Sequence, residues 1–347
     1  MKNIYVSILI VCAALSCFAQ TKTIDSLRKI QRTAQSDTTE LLLYLNLFGH
    51  YRNEQPDTAI AFGYMALKTA EKNNNRKYSI IARQELAYTI GYTGNYVKAL
   101  QLLLESKAIA EENNDSLSLG ASHHILGNLF KWQKEFRTAI SHYKKAHTYG
   151  GMSYTTDMNL GVIYLELNQP DSALMYAQNA YRLSLQGNDR LYLYTVLATL
   201  GRIHQRMGND ALARNYLTMA EKSAYASNST RARCFVFQDL SDYFKEKGNS
   251  DSSIYYAKRV ITLPGSKVLK PQVLDAAQQL SDLYSGINTD SAFKYLKLAT
   301  ALKEELSGSE KTQQMQALRY EGELDEQKRS QEKQKVQEVQ IKFDNIK

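Results

Sequence analysis

Residues 121–146 read ASHHILGNLFKWQKEFRTAISHYKKA, and their spacing decides the fold. Leu126-Gly127, Phe130, Phe136, Ala139-Ile140, Tyr143 and Ala146 recur at steps of three and four on either side of a polar turn, Gln133 to Glu135. That is the periodicity of two amphipathic helices lying antiparallel. Gly127 and Ala139 leave room for the two backbones to approach, and Leu126, Phe130, Phe136 and Tyr143 fill the flanks. A pair this short cannot bury its apolar face alone, so it requires copies of itself.

The copies are present in two locked columns. The Gly127 position recurs as Ala87, Gly161, Gly201, Ser241 and Ser281, each preceded by leucine (Leu86, Leu160, Leu200, Leu240, Leu280). Successive spacings are 40, 34, 40, 40 and 40 residues. The Ala139 position recurs as Ala59, Ala99, Ala173, Ala213, Ser253 and Ala292. Turn and cap residues fall between the columns, as in Thr93-Gly94-Asn95, Met207-Gly208-Asn209 and Lys247-Gly248-Asn249.

Leucine and a small residue, an aromatic or apolar residue three on, a turn, then alanines seven apart (Ala139 and Ala146, Ala173 and Ala180, Ala213 and Ala220) resemble the tetratricopeptide repeat. The resemblance implies an all-α, right-handed superhelical solenoid of about seven antiparallel helix pairs over residues 38–306. The period of 40 in place of the family's usual 34 predicts longer helices or longer links. The near-duplicates Glu71 to Asn75 and Glu111 to Asp115 are read as lengthened links. Tyr176, Tyr216, Tyr256 and Tyr295, each three residues beyond a second-helix small residue, are read as a packing column between neighbouring repeats.

The two ends differ from the array. An apolar run from Ile4 to Leu15 is too short to span a bilayer, which takes about 20 residues, and small Ala19 suits cleavage before Gln20. Residues 1–19 are thus read as an export signal, which places the protein in the periplasm or at the cell envelope. The competing reading takes Leu15-Ser16-Cys17 as a degenerate lipoprotein box, with Cys17 lipidated as a membrane tether; Ala14 argues against it. Residues 20–37, with Ile24, Leu27 and Ile30 on one stripe, are expected to cap the array. From residue 307 the composition turns to Gln, Glu, Lys and Arg. A long charged helix over 307–347 has Met315, Leu318, Val336, Val339, Phe343 and Ile346 on heptad positions but polar residues between, which supports weak self-association or a solvated helix equally. An export signal, a repeat array and a charged helix also resemble the input halves of membrane sensor kinases and helix-turn-helix regulators of the Bacteroidetes, without carrying any output motif.

Catalysis and cofactors find no footing. None of the six histidines lies four residues from another, and HExxH, GxSxG, GxGxxG and GxxxxGK[ST] are all missing. Once the export signal is removed, Cys234 is the one cysteine left, which makes neither an intramolecular disulfide nor a thiolate metal site. The net charge of +8 is spread over separated pairs such as Lys144-Lys145, unlike the dense basic surface that nucleic acid requires. What remains is recognition of a protein or peptide partner. By the family resemblance the concave positions are Gln84, Tyr88, His124, Asn128, Arg202, Gln238 and Asp242, with Lys131, Trp132, Gln205 and Lys245 one turn along. Asn128 matches the family's peptide-binding asparagine, but His124 stands where its carboxylate-clamping lysine is expected.

Overall fold

The computed structural model describes residues 37–53, 55–150, 153–186, 192–264 and 269–306. The export signal, Cys17, the capping helix and the charged helix after residue 306 lie outside them. Within them the chain forms seven helix pairs. The first three are α1 (Asp37–Tyr51) with α2 (Pro56–Lys72), α3 (Arg76–Tyr92) with α4 (Tyr96–Glu112), and α5 (Ser116–Trp132) with α6 (Phe136–Thr148). Two more are α7 (Ser153–Glu166) with α8 (Pro170–Gln186) and α9 (Leu193–Arg206) with α10 (Asp210–Ala226). The last are α11 (Thr230–Glu246) with α12 (Ser250–Thr262), and α13 (Lys270–Tyr284) with α14, residues 289–306.

The long period comes from the helices. Seventeen-residue helices such as α3 and α4 alternate with three-residue turns, and two of each make forty residues. The Glu71 to Asn75 and Glu111 to Asp115 segments therefore add no length; they hold the same turn found inside the pairs. Its middle residue takes a left-handed conformation, at Asn74 (φ 51°), Gly94 (φ 99°), Asn114 (φ 53°) and Gly208 (φ 76°). Its last amide reaches back five residues, Asn95 N–H to the Ile90 carbonyl at 3.0 Å, which closes a Schellman motif. That same last residue then caps the next helix: Asn75, Asn95, Asp115 and Asn249 accept from the amides of Tyr78, Lys98, Ser118 and Ser252. One turn thus ends a helix, reverses the chain and starts the next. The 34-residue step occurs where α6 and α7 shorten to 13 and 14 residues.

The two columns meet as their spacing predicts. Ala87, Gly127, Gly161, Gly201 and Ser241 are buried on the first helices, facing fully buried Ala99, Ala139, Ala173, Ala213 and Ser253 on the second. Leu86, Leu126, Leu160, Leu200, Leu240 and Leu280 are all in the core. One turn beyond the close contact, rings stack within each of the last five pairs: Phe130 on His142, Tyr164 on Tyr176, His204 on Tyr216, Phe244 on Tyr256 and Tyr284 on Tyr295, with centroids 5.3–5.9 Å apart. The tyrosine column is therefore a ladder inside the pairs as well as part of the expected seam between repeats, where Tyr256 donates to Glu221 of the preceding pair at 3.3 Å. A residue one turn from the contact on each helix stays on the face turned to its partner. Tyr216 also meets the preceding pair, edge-on to Tyr181 at 6.5 Å.

First helices of successive pairs pack on one another (α3 on α5, α7 on α9, α9 on α11), and second helices show no comparable contact among the described residues. The first helices therefore line the inner, concave side. The curl is tight enough for distant pairs to meet. Arg231, at the start of α11, donates to the Asn53 side-chain oxygen in the α1–α2 turn at 3.5 Å and lies 3.9 Å over the ring of Tyr92 at the end of α3. The sixth pair thus touches the first and second across the groove.

Candidate functional site

Inward polar positions mostly stitch each pair to the next. Gln84 is buried and donates to the Ser118 carbonyl at 2.8 Å and to the Ser122 hydroxyl at 3.0 Å. His124 is buried against the Thr156 hydroxyl at 2.9 Å, and burial pulls its pKa down to about 3, so the ring is neutral. The Asn128 side-chain oxygen accepts from the Tyr143 hydroxyl at 2.8 Å and from Asn159 at 3.2 Å. Arg202 spans two junctions, 2.7 Å from Glu166 and 3.8 Å from Asp239, and Gln205 donates to Glu246 at 2.6 Å. Gln238 donates to Asp242 and to Gln279 at 3.4 Å. The sequence cannot show that Gln84, His124 and Asn128 spend their polar atoms on neighbouring helices.

Two stretches of the groove keep unspent chemistry. The first is walled by rings and cations. Trp132 stands edge-on to Tyr88 at 5.4 Å and to Tyr92 at 5.6 Å. Arg52 approaches the Tyr88 ring at 5.7 Å while holding Glu85 at 2.7 Å. From the opposite wall, Tyr192 and Tyr194 at the start of α9 come close enough to Arg52, Tyr88 and Arg231 to influence their ionisation or be influenced by them. Burial holds the Tyr88 phenol up at about 12, so it stays a neutral donor. Lys131 donates to the Asn159 side-chain oxygen at 2.5 Å, and burial, helped by Arg231, brings its pKa down to about 8.

The second stretch is acidic. A cleft of about 310 Å³ on α11 and α13 is lined by Gln238, Asp242, Lys245, Asp275, Gln278, Gln279 and Asp282. Burial raises the pKa of Asp242 and Asp275, and Lys134, from the α5–α6 turn across the groove, counters the rise at Asp275.

Among the described residues no group of three or more His, Cys, Asp and Glu is placed to hold a metal ion. Cys234 is fully buried and its thiol is pushed up to about 11 by that burial, far from a thiolate. His123 and His142 face each other through Nδ1 at 3.0 Å, a neutral pair closing α5 onto α6. No described helix is long and apolar enough to cross a membrane.

Family models agree with this architecture. A tetratricopeptide repeat model matches residues 153–226, and the model of the SusR N-terminal TPR domain matches residues 19–162. The chain is a tetratricopeptide repeat protein. Among solved structures, the array is similar to the apo form of the quorum sensor NprR from B. thuringiensis (TM-score 0.60, 12% identity, 82% of each chain covered). It is also similar to the Rap conjugation gene regulator of plasmid pLS20 in complex with the Phr* peptide (TM-score 0.59, 16% identity, 78% of this chain and 76% of that one). A Rap protein complexed with Competence and Sporulation Factor gives a TM-score of 0.58 at 17% identity, with 77% of each chain covered. At these identities the likeness is one of fold. No curated protein matches the tetratricopeptide chain.

Proposed function

We propose that the protein is an exported, non-catalytic scaffold that binds a peptide or an extended segment of a protein in its concave groove. The observation that carries this reading is the wall where Tyr88, Tyr92 and Trp132 meet Arg231 from the far side of the superhelix. Tyr92 is exposed, and Trp132 sits at the end of its helix, so their rings offer stacking area to a ligand. Peptide capture in a curved array of this kind uses such rings together with polar groups that bond the ligand backbone.

A second reading has specific support: the match to the SusR N-terminal TPR domain over residues 19–162 and the regulators among the structural neighbours favour a signal-input module. In that reading occupancy of the groove is passed to an output partner through the C-terminal segment. Both readings require groove binding, so one experiment tests their common basis. Displayed random heptapeptides are selected on the wild-type protein and on a Tyr92→Ser/Trp132→Ala variant. Enrichment of a defined set on wild type and its loss on the variant is expected; equal enrichment on both would place binding elsewhere.

A further inference from the structure

Three rings and two guanidinium groups form one continuous row along the groove. Arg52 stands 5.7 Å from the Tyr88 ring, Tyr88 5.4 Å from Trp132, Trp132 5.6 Å from Tyr92, and Tyr92 3.9 Å from Arg231. Tyr88 and Tyr92 lie one turn apart on α3 and both meet the indole edge-on, so the ring planes stand at steep angles instead of closing into a stack. Gly91 seats the indole. A Cβ there would come within 3.4 Å of Trp132 Cζ3, so the six-membered ring packs against α3 and the edge that carries the N–H is turned away from it.

The hydrogen bonding this row offers is one-sided. The Trp132 indole is a donor only, and no acceptor meets it among the described residues. Each guanidinium carries five donors, and Arg52 spends one on Glu85, Arg231 one on Asn53. The acceptors beside the row are taken: Glu85 and Asn53 by those arginines, and the Asn128 oxygen, one turn before Trp132, by Tyr143 and Asn159. A peptide lying here finds donors for its carbonyl groups and no unclaimed amide or carboxylate oxygen for its N–H groups. An N–H pressed onto such a wall loses water without regaining a bond. Proline brings no N–H, presents a carbonyl and an apolar ring, and holds the chain extended before it binds.

We propose that the groove recognises a proline-rich segment in the polyproline II conformation, its pyrrolidine rings lying on Tyr88, Trp132 and Tyr92 and its carbonyl groups accepting from the indole N–H and the two guanidinium groups. This deepens the proposed function and rests on it. Aromatic-lined grooves with outward donors are the surfaces that take such segments, and the preformed extended helix keeps the ordering cost of binding low. The match is one of donors and rings, with no charge required on the ligand.

Trp132 is the sole tryptophan of the chain, so its emission reports on this wall alone. The full chain is titrated with four synthetic peptides: acetyl-QPPLPPQ-amide, acetyl-QAALAAQ-amide, the second peptide N-methylated at its alanines, and acetyl-QEELEEQ-amide. The N-methylated form lacks the N–H groups and the pyrrolidine rings alike, which separates the missing donor from ring stacking. We expect a saturable change in Trp132 emission with the proline peptide, affinity about tenfold weaker for the alanine and glutamate peptides, and an intermediate value on N-methylation. Tyr92→Leu is expected to weaken proline-peptide binding about fivefold by removing a ring. Trp132→Phe, followed by calorimetry, should do the same by removing the N–H while keeping a ring, with circular dichroism reporting on folding. Tyr92, exposed at the end of α3, keeps the test alive should Trp132→Phe fail to fold. Equal or tighter binding of the alanine or glutamate peptide, no gain on N-methylation, or unchanged affinity in either folded variant overturns the assignment while leaving groove binding intact. Heptapeptides selected on wild type that lack proline do the same. Silence from all four peptides also overturns it, and joined with an empty heptapeptide selection removes groove binding as well.

Discussion

Gly127→Ala and Gly161→Ala are the same substitution at equivalent positions, and they are expected to differ in effect. A methyl group on Gly127 would lie 2.6 Å from two carbons of the Tyr143 ring. That ring is fully buried and its hydroxyl is tied to Asn128 at 2.8 Å, so it cannot slide aside. Overpacking of a core costs about 1–3 kcal/mol, and a rigid ring at this distance belongs at the upper end. Replacing helical glycine by alanine returns roughly 1 kcal/mol, leaving a net loss of about 2 kcal/mol. At Gly161 the methyl meets the Ala173 carbonyl and the Ala177 backbone at 3.3 Å and the Ala177 methyl at 3.4 Å, contacts that need shifts of a few tenths of an ångström. Helix propensity then offsets the crowding, and stability should stay within about 0.5 kcal/mol of wild type.

A third variant checks the cause. The equivalent pair in the second repeat is Ala87 with Leu103, both buried, so Gly127→Ala/Tyr143→Leu transplants a combination this protein already packs. The two changes should couple favourably by at least about 1 kcal/mol, within the range for residues in contact. Urea unfolding is followed by circular dichroism at 222 nm and by Trp132 emission, because repeat arrays need not unfold in one step. A larger loss at Gly161 than at Gly127, or strict additivity in the double variant, would refute the packing argument.

Two further predictions concern the ladder and the small-residue column. His204 stacks on Tyr216, yet its buried Nδ1 has no hydrogen-bond partner, and the equivalent ladder positions hold Phe130, Tyr164, Phe244 and Tyr284. His204→Phe should stabilise the protein by about 1 kcal/mol at pH 7 by removing the unsatisfied nitrogen. Burial lowers the His204 pKa, so the unfolded chain binds the proton more readily and wild type loses stability as pH falls through 6.5; the variant's advantage should widen at pH 5.5 in paired urea titrations. In the sixth pair, the Ser241 hydroxyl donates to the Ser253 carbonyl at 2.8 Å and the Ser253 hydroxyl to the Ser241 carbonyl at 3.0 Å. Ser241→Ala or Ser253→Ala alone should cost about 1 kcal/mol, and the double variant no more than the costlier single one, since it restores the Ala87–Ala99 pairing of the second repeat. Additive losses in chemical denaturation would contradict this.

The fold was legible because it is local and repeated. Leu126-Gly127 and Ala139 state the contact once, and five more Leu–small steps repeat it. The tyrosine spacing shows a column but not its stacking partners, because three residues past a small residue fixes a helix face without saying which neighbours fill it. The groove was legible only in part. Trp132 and Lys131 follow from their helical register, and Tyr92 holds the register of Trp132 one repeat earlier, but Arg231, Tyr192 and Tyr194 join them only through the superhelical curl. That curl sums small rotations over several pairs and leaves no mark in any short stretch of sequence. Asn128 shows the converse: its register is right for a ligand, and the Tyr143 hydroxyl, fifteen residues on, has claimed it.

The Arg231 contact with Asn53 and Tyr92 also bears on how such a chain can grow. A linear stack accepts a duplicated unit anywhere, since each unit knows only its neighbours. Here a copy inserted between the second and sixth pairs would carry Arg231 one step past its seat and pull the two walls out of register. Lengthening by duplication is therefore harmless only beyond that closure, and the interval between α3 and α11 is effectively counted.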